Sequence, residues 1–355
     1  MTGLVPGGLP REPLPERLGL VHRTFSSLWV RNYRLFFVGQ LISNSGNWLT
    51  NVAITLLVLH RTGSGTAVGL LAFCQYGPIL VLSAWAGLVA DRSNKRKLLY
   101  LTQSLEMVES GVLALLAFLP HVPLFLFFVT SFAGGVLLSF DNPDRRSFLN
   151  EMVPEHEVSN AVTLYSAMNA ISRVIGPTIA GALIVTLGFG WCFTIDAASY
   201  LVVLAALKMM RASELRRTPR TPPGKGQIRA GLRYVAHVPE LWISFLMLLI
   251  IGTASYNFTV VLPLFVEKGL NGSDAEYTLV YAAFSVGGLL GTLVVARRTR
   301  VDLRSIIIGA AGFGIALLAL SFVPNVLIAY PLAALVGGTS VAYATTTTAI
   351  AQLRS

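Results

Sequence analysis

The chain alternates long apolar runs with short polar breaks, and the runs have the length that a bilayer demands. A hydrocarbon core of about 30 Å is crossed by about 20 apolar residues in a helix. Ten segments qualify: 35–59, 66–90, 98–119, 122–140, 159–187, 190–209, 241–266, 275–296, 304–323 and 326–350. Each is expected to be helical, because lipid offers no partner to an open backbone N–H or C=O. Pro and Gly interrupt the fourth and fifth.

Composition agrees with this pattern. Hydrophobic residues make up 54% of the chain and charged residues 12%, against about a quarter charged in soluble domains. A net charge of +10 would suggest nucleic acid in a soluble protein. Here the cations sit between apolar runs, which points to anionic lipid and topology and not to nucleic acid. Of the 27 Lys and Arg, 24 fall in the amino-terminal arm, alternate connections and the last residues; Arg61 and Lys268 lie on the other side and Arg173 inside a helix. By the positive-inside rule both termini are cytoplasmic, and an inner (plasma) membrane location is expected.

Residues 1–30 are rich in Pro, Gly and Arg without the apolar centre of a signal peptide, and read as a flexible cytoplasmic arm. The expected organisation is a six-helix bundle over 31–210, a cytoplasmic linker over 211–240 and a four-helix partial bundle over 241–355. The linker offers a short amphipathic helix around Ile228–Val235. "WAGLVADRSNKR" has a degraded echo in "LLGTLVVARRTR" about 205 residues later, as in a parallel repeat of two six-helix halves. On that plan two more helices would follow "AIAQLRS". Cys74 and Cys192 each lie in an apolar run and lack metal-ligand spacing.

The connection "GLVADRSNKRKLL" places Asp91 beside Arg92, Lys95, Arg96 and Lys97. Its cations suit the anionic cytoplasmic leaflet, and Ser93-Asn94 suits a tight reversal, Asn tolerating a left-handed turn. Asp91 can cap a helix or pair with the cluster. The alternative is that these charges only set topology.

This stretch resembles the signature between helices 2 and 3 of the major facilitator superfamily, Gly-x-x-x-Asp-Arg-x-Gly-Arg-Arg/Lys. Gly87, Asp91, Arg92, Lys95, Arg96 and Lys97 stand at its positions, with Asn94 for the second Gly and Lys95 for the following Arg. "NYRLFFVGQLISNSGNWLTNVA", "DNPDRRSFLNEMVPEHEVSNAVTLYS" and "SRVIGPTIAGALIVTLGFGWCFTIDAASYL" are similar to the secretion-effector branch that includes enterobactin and macrolide exporters. The resemblance implies an all-α polytopic membrane protein of the major facilitator fold, with helices 1, 4, 7 and 10 lining a cavity. It implies a gating role for Gly87 and Asp91, which in the family hold the halves together on the cytoplasmic side. It also matches "SRVIGPTIAG" to an exporter-associated motif, with Ser172, Gly176, Pro177, Ala180 and Gly181 at the small and Pro positions. Small residues let helices approach closely and Pro bends the rod, a shape suited to rocking but also to plain helix packing.

Gln40, Asn44, Asn47 and Asn51 recur at spacings of four, three and four, on one face of the first helix. Amides at membrane depth face protein or water, so they read as a cavity wall or as interhelical bonds. Asn169, Tyr256 and Asn257 join them as substrate-cavity candidates, with Thr253, Tyr343 and Thr345–Thr348 on the matching helices.

Glu106, Glu109, Arg173 and Asp196 lie inside helices. Glu106 is nine residues past Lys97, about 13 Å deep at 1.5 Å per residue. Glu106 and Glu109 share a face, where two carboxylates in a poor dielectric favour uptake of a proton near neutral pH. A structural pairing is the other reading. Arg173 is expected to pair with an acid or an anionic substrate group, and Asp196 to cap or pair near the outer surface.

The expected function is secondary transport of a small amphipathic molecule (drug, siderophore or metabolite) outward, in exchange for protons, by a monomer without a cofactor. A proton-coupled importer and an inactive truncated scaffold are the alternatives. No phosphate loop, Gly-x-Ser-x-Gly elbow, His-Glu-x-x-His or Cys/His cluster suggests an enzyme.

Overall fold

The computed structural model describes residues 24–216, 250–253, 255–296 and 303–354, with 237, 242 and 246 as single positions. Most of the arm and linker, the expected helix at Ile228–Val235 and Arg297, Arg298 and Arg300 lie outside them, as does most of the first half of the 241–266 segment.

The long helices are α1 Arg31–Thr62, α2 Gly65–Arg92, α3 Lys95–Phe118, α4 Leu124–Met152, α5 Val158–Thr186 and α6 Phe189–Met209. After them come the short α7 Phe258–Leu264, with one π-turn at Phe265–Gly269, then α8 Asp274–Ala296, α9 Leu303–Ser321 and α10 Val326–Arg354. Local signals set several ends. α1 stops at Gly63, whose φ of 58° is left-handed and favours glycine. α3 starts where the Asn94 side chain accepts the Lys97 N–H at 3.1 Å.

Two of these ends correct the sequence reading. Asn94 is not in a left-handed turn: its φ of −77° and ψ of 106° are extended, and it serves as an N-cap. The fourth helix does not end at 140 but runs through Pro143 to Met152. Arg145, counted above as a loop cation, is therefore a buried helical residue. Asp141, Asp144, Arg145, Phe148, Leu149 and Met152 are all buried, at spacings of three, one, three, one and three that keep one helical face inward.

Seven helices among the described residues are long and apolar enough to cross a membrane. α1 is not one of them, since its amides lower its hydropathy. Leu80 is 85% exposed, and apolar side chains so exposed suit lipid better than water.

α1 packs on α5 and α6, α3 on α4 and α6, and α2 on α4. α8 and α9 pack on α10, where Gly287, Gly291 and Gly337 let backbones meet. α5 against α8 joins the two groups. Further contacts between the groups gather where α1 ends and α8 begins. His60 Nε2 lies 2.9 Å from Asp274 Oδ1, Lys268 Nζ donates to the Gly63 carbonyl, and Leu264 packs against Gly65.

Candidate functional site

The amide stripe of α1 reaches three neighbouring helices. Asn44 donates to Asn169 Oδ1 on α5 at 2.7 Å, Asn47 to the Tyr200 hydroxyl on α6 at 3.1 Å, and Asn51 to the Tyr76 hydroxyl on α2 at 3.0 Å. Gln40 is buried with both amide atoms unpartnered. The stripe thus stitches α1 to its neighbours, while Asn47 and Asn51 also line a cavity of about 90 Å³.

Glu106, Glu109, Thr50, Ser131 and Tyr200 line the same cavity. Glu106, 4% exposed, accepts from Gln103 Nε2 at 2.7 Å and lies 4.0 Å from Arg145 Nη2. Arg145 is ion-paired with Asp141 four residues before it. Asp141 Oδ1 also accepts from Thr102 and Gln103, both at 2.9 Å. Glu109 packs against Gly134, where a Cβ would lie 3.1 Å from its Oε1.

Asp196 sits deeper in the protein than a surface cap. It is 1% exposed, and its Oδ2 accepts from Thr50 at 2.8 Å and Ser110 at 2.7 Å, while Oδ1 is unpartnered. Hydroxyls of α1 and α3 thereby hold an α6 carboxylate inside the bundle.

Among the expected gating residues, Lys95 is buried and pairs with Glu151 at 3.1 Å. Arg96 Nε donates to the Leu207 carbonyl at 2.9 Å and Nη2 to that of Lys208 at 3.2 Å, closing the carboxyl end of α6. Asp91 and Arg92 are exposed, and Asp91 makes no ion pair among the described residues. It borders a cavity of about 580 Å³ together with Lys95, Arg96 and Lys97. Gly87 has open space beside it, with no atom within 4 Å of the point where a Cβ would stand.

On α5, Ser172, Gly176, Pro177, Ala180 and Gly181 are all buried. A Cβ on Gly176 would come within 2.6 Å of the Ser45 carbonyl of α1, and one on Gly181 would collide with Thr278 of α8. The small positions therefore serve two close approaches, one within the first group and one between the groups. Arg173, one turn past Asn169, stacks over the Trp48 ring with 4.7 Å to its centre.

Tyr256 packs on Phe258 and Phe313 and donates to the Ser340 carbonyl. Asn257 is exposed and donates to the Thr253 carbonyl at 2.7 Å. Tyr343 is buried with its hydroxyl unpartnered, and Thr346 and Thr347 bond back to their own helix. Asp141, Arg145, Thr50, Ser110, Tyr76 and Tyr200 are not among the residues expected at the site from sequence. The i, i+4 spacing of Asp141 and Arg145 is a usable signal; the hydroxyls carry none.

The described helices are those expected of a multi-pass membrane protein, with ionisable groups buried inside one helix group. Solved structures share the fold. An inward-facing, unoccupied bacterial homologue of the human lysosomal transporter Spinster matches at a TM-score of 0.60 and 15% identity, over 90% of this chain and 75% of that one. A POT family transporter matches at 0.60 and 13% identity, over 90% and 83%.

The family profile described as transmembrane secretion effector matches residues 22–355. The chain belongs to that family, within the major facilitator superfamily. It is similar to the staphyloferrin A transporter of Staphylococcus aureus, 25% identical over 308 residues, 86% of this chain and 77% of the relative. The multidrug efflux pump Tap of Mycolicibacterium fortuitum is 26% identical over 315 residues, 85% and 76%. The enterobactin exporter EntS of Shigella boydii is 26% identical over 261 residues, 74% and 62%.

Proposed function

We propose that the protein is a secondary active transporter of the plasma membrane that exports a small amphipathic molecule by alternating access, in exchange for protons. The observation that carries this reading is the cavity where Glu106 and Glu109 meet hydroxyls and amides inside the membrane-spanning bundle. Carboxylates at that depth are costly unless they are used, and two of them beside a small polar space can take up and release a proton.

The contacts between the helix groups support alternating access. They gather at the end where α1 finishes, which is the outer end if the cationic connections face the cytoplasm. With both termini inside, the helices of 31–210 and those of 241–355 form two halves that meet along α5 and α8 and at the end where α1 finishes. The relatives named as an efflux pump and an exporter support the outward direction. Gly87, Asp91, Arg92, Lys95 and Arg96 then act at the inner end, with Gly176, Pro177 and Gly181 in the packed seam of α5.

The test is expression in a bacterium stripped of its own efflux pumps. Cells making the protein are expected to hold less of an amphipathic dye from a charged and neutral panel, and a protonophore is expected to remove the difference. Higher retention would indicate an importer, and an unchanged level for the whole panel would leave an inactive scaffold.

A further inference from the structure

Arg173 is the one ionised side chain of α5 at membrane depth, and its surroundings are unusual for a cation. Its guanidinium stacks on the indole of Trp48, and its Nε is buried without a hydrogen-bond partner. Among the described residues no carboxylate lies within ion-pair distance of it. Two acids of the same helix group are engaged elsewhere, Asp196 with Thr50 and Ser110 and Asp141 with Arg145. The phenols of Tyr76 and Tyr281 lie within electrostatic reach of Arg173.

An uncompensated cation at this depth is expensive. Contact with a Trp face offsets only part of that cost. A guanidinium over a ring face still has its in-plane fork of N–H donors to offer to another group. That fork matches a carboxylate, which accepts two parallel bonds. The place is shared between the two halves: Trp48 and Arg173 belong to one and Tyr281, 6.2 Å from Trp48 between ring centres, to the other.

We propose that Arg173, backed by Trp48 and within reach of Tyr281, binds the carboxylate of an amphipathic substrate, so that the transported class is anionic. This rests on the transporter reading above and narrows its substrate. A carboxylate bound there touches both halves at their junction, and its aromatic or alkyl body lies against Trp48 and Tyr281. A neutral or cationic amphipath leaves the guanidinium unpaired and binds more weakly.

Equilibrium dialysis with the purified full chain tests this. Benzoate, naphthoate, octanoate and citrate are each compared with the corresponding amide. At least one carboxylate is expected to bind about tenfold or more tightly than its amide, the size of a charge-assisted bond. Arg173→Gln is expected to erase that preference and Arg173→Lys, which keeps the charge but loses the fork, to reduce it several-fold. Equal binding of acid and amide throughout by the native chain, or a preference surviving in Arg173→Gln, overturns the proposal. Should Arg173→Gln not fold, an undiminished preference in Arg173→Lys overturns it. Energy-dependent dye extrusion by the native chain without carboxylate preference removes this inference alone, whereas loss of extrusion itself counts against the transporter reading.

Discussion

The carboxylate of Asp196 occupies the space that a side chain at position 46 would need. A Cβ on Gly46 would lie 2.5 Å from Asp196 Oδ1 and 2.7 Å from Ser199 Oγ. Glycine at that point of α1 is what allows α6 to bring an acid against Thr50 and Ser110.

Gly46→Ala is therefore expected to destabilise the protein by about 1–3 kcal/mol, the cost of forcing a methyl group into a packed interior. Gly87→Ala, with open space around it inside α2, is expected to keep or slightly raise stability, since Ala favours a helix interior over Gly. Thermal unfolding of both variants in one detergent measures the contrast. Equal melting temperatures would mean that the α1–α6 contact is looser than described.

Glu106→Gln and Glu109→Gln address the coupling role. At least one is expected to flatten the dependence of transport on pH while substrate binding persists. Initial rates across pH 5–9 at constant membrane potential show this, and unchanged profiles in both variants would return the pair to a structural role.

His60 and Asp274 face each other across the two helix groups near the surface, with the His60 ring edge-on to Phe189. A partly exposed pair contributes about 0–1 kcal/mol. Asp274→Asn is thus expected to shift the balance of the halves by up to about fivefold, and not to abolish transport. Distance distributions between spin labels at the ends of α1 and α8 report that shift. No change in the distributions would place the closure in the apolar contacts of Leu264 and Gly65.

Asp91→Asn is expected to slow cycling with little loss of substrate binding, measured as transport rate against affinity. Normal turnover would leave the connection as a topology signal. Lys95→Met should act on folding instead, because it strands the half-buried Glu151; breaking such a pair costs roughly 3 kcal/mol.

The membrane helices are legible in the sequence because lipid imposes a length and a hydropathy that no other solvent does. The amide spacing of α1 is legible too, as one face of one helix. What it touches is not, since nothing in Asn44, Asn47 or Asn51 says that their partners stand on α5, α6 and α2. The carboxyl-terminal part of α4 escapes a reading by hydropathy because its charges look like a loop; only the buried spacing of Asp141, Arg145, Phe148 and Met152 marks it as helix. Thr50, Ser110 and Tyr200 are ordinary helical residues in sequence, and acquire meaning from the acids that tertiary packing brings beside them.

Reconstitution in proteoliposomes with an imposed pH gradient tests proton-driven transport most directly. With carboxylate and dye panels on the side matching the cytoplasm, the gradient is expected to drive net movement across the bilayer, and an ionophore that dissipates it is expected to stop that movement. Transport that continues at the same rate after the gradient collapses would contradict proton exchange.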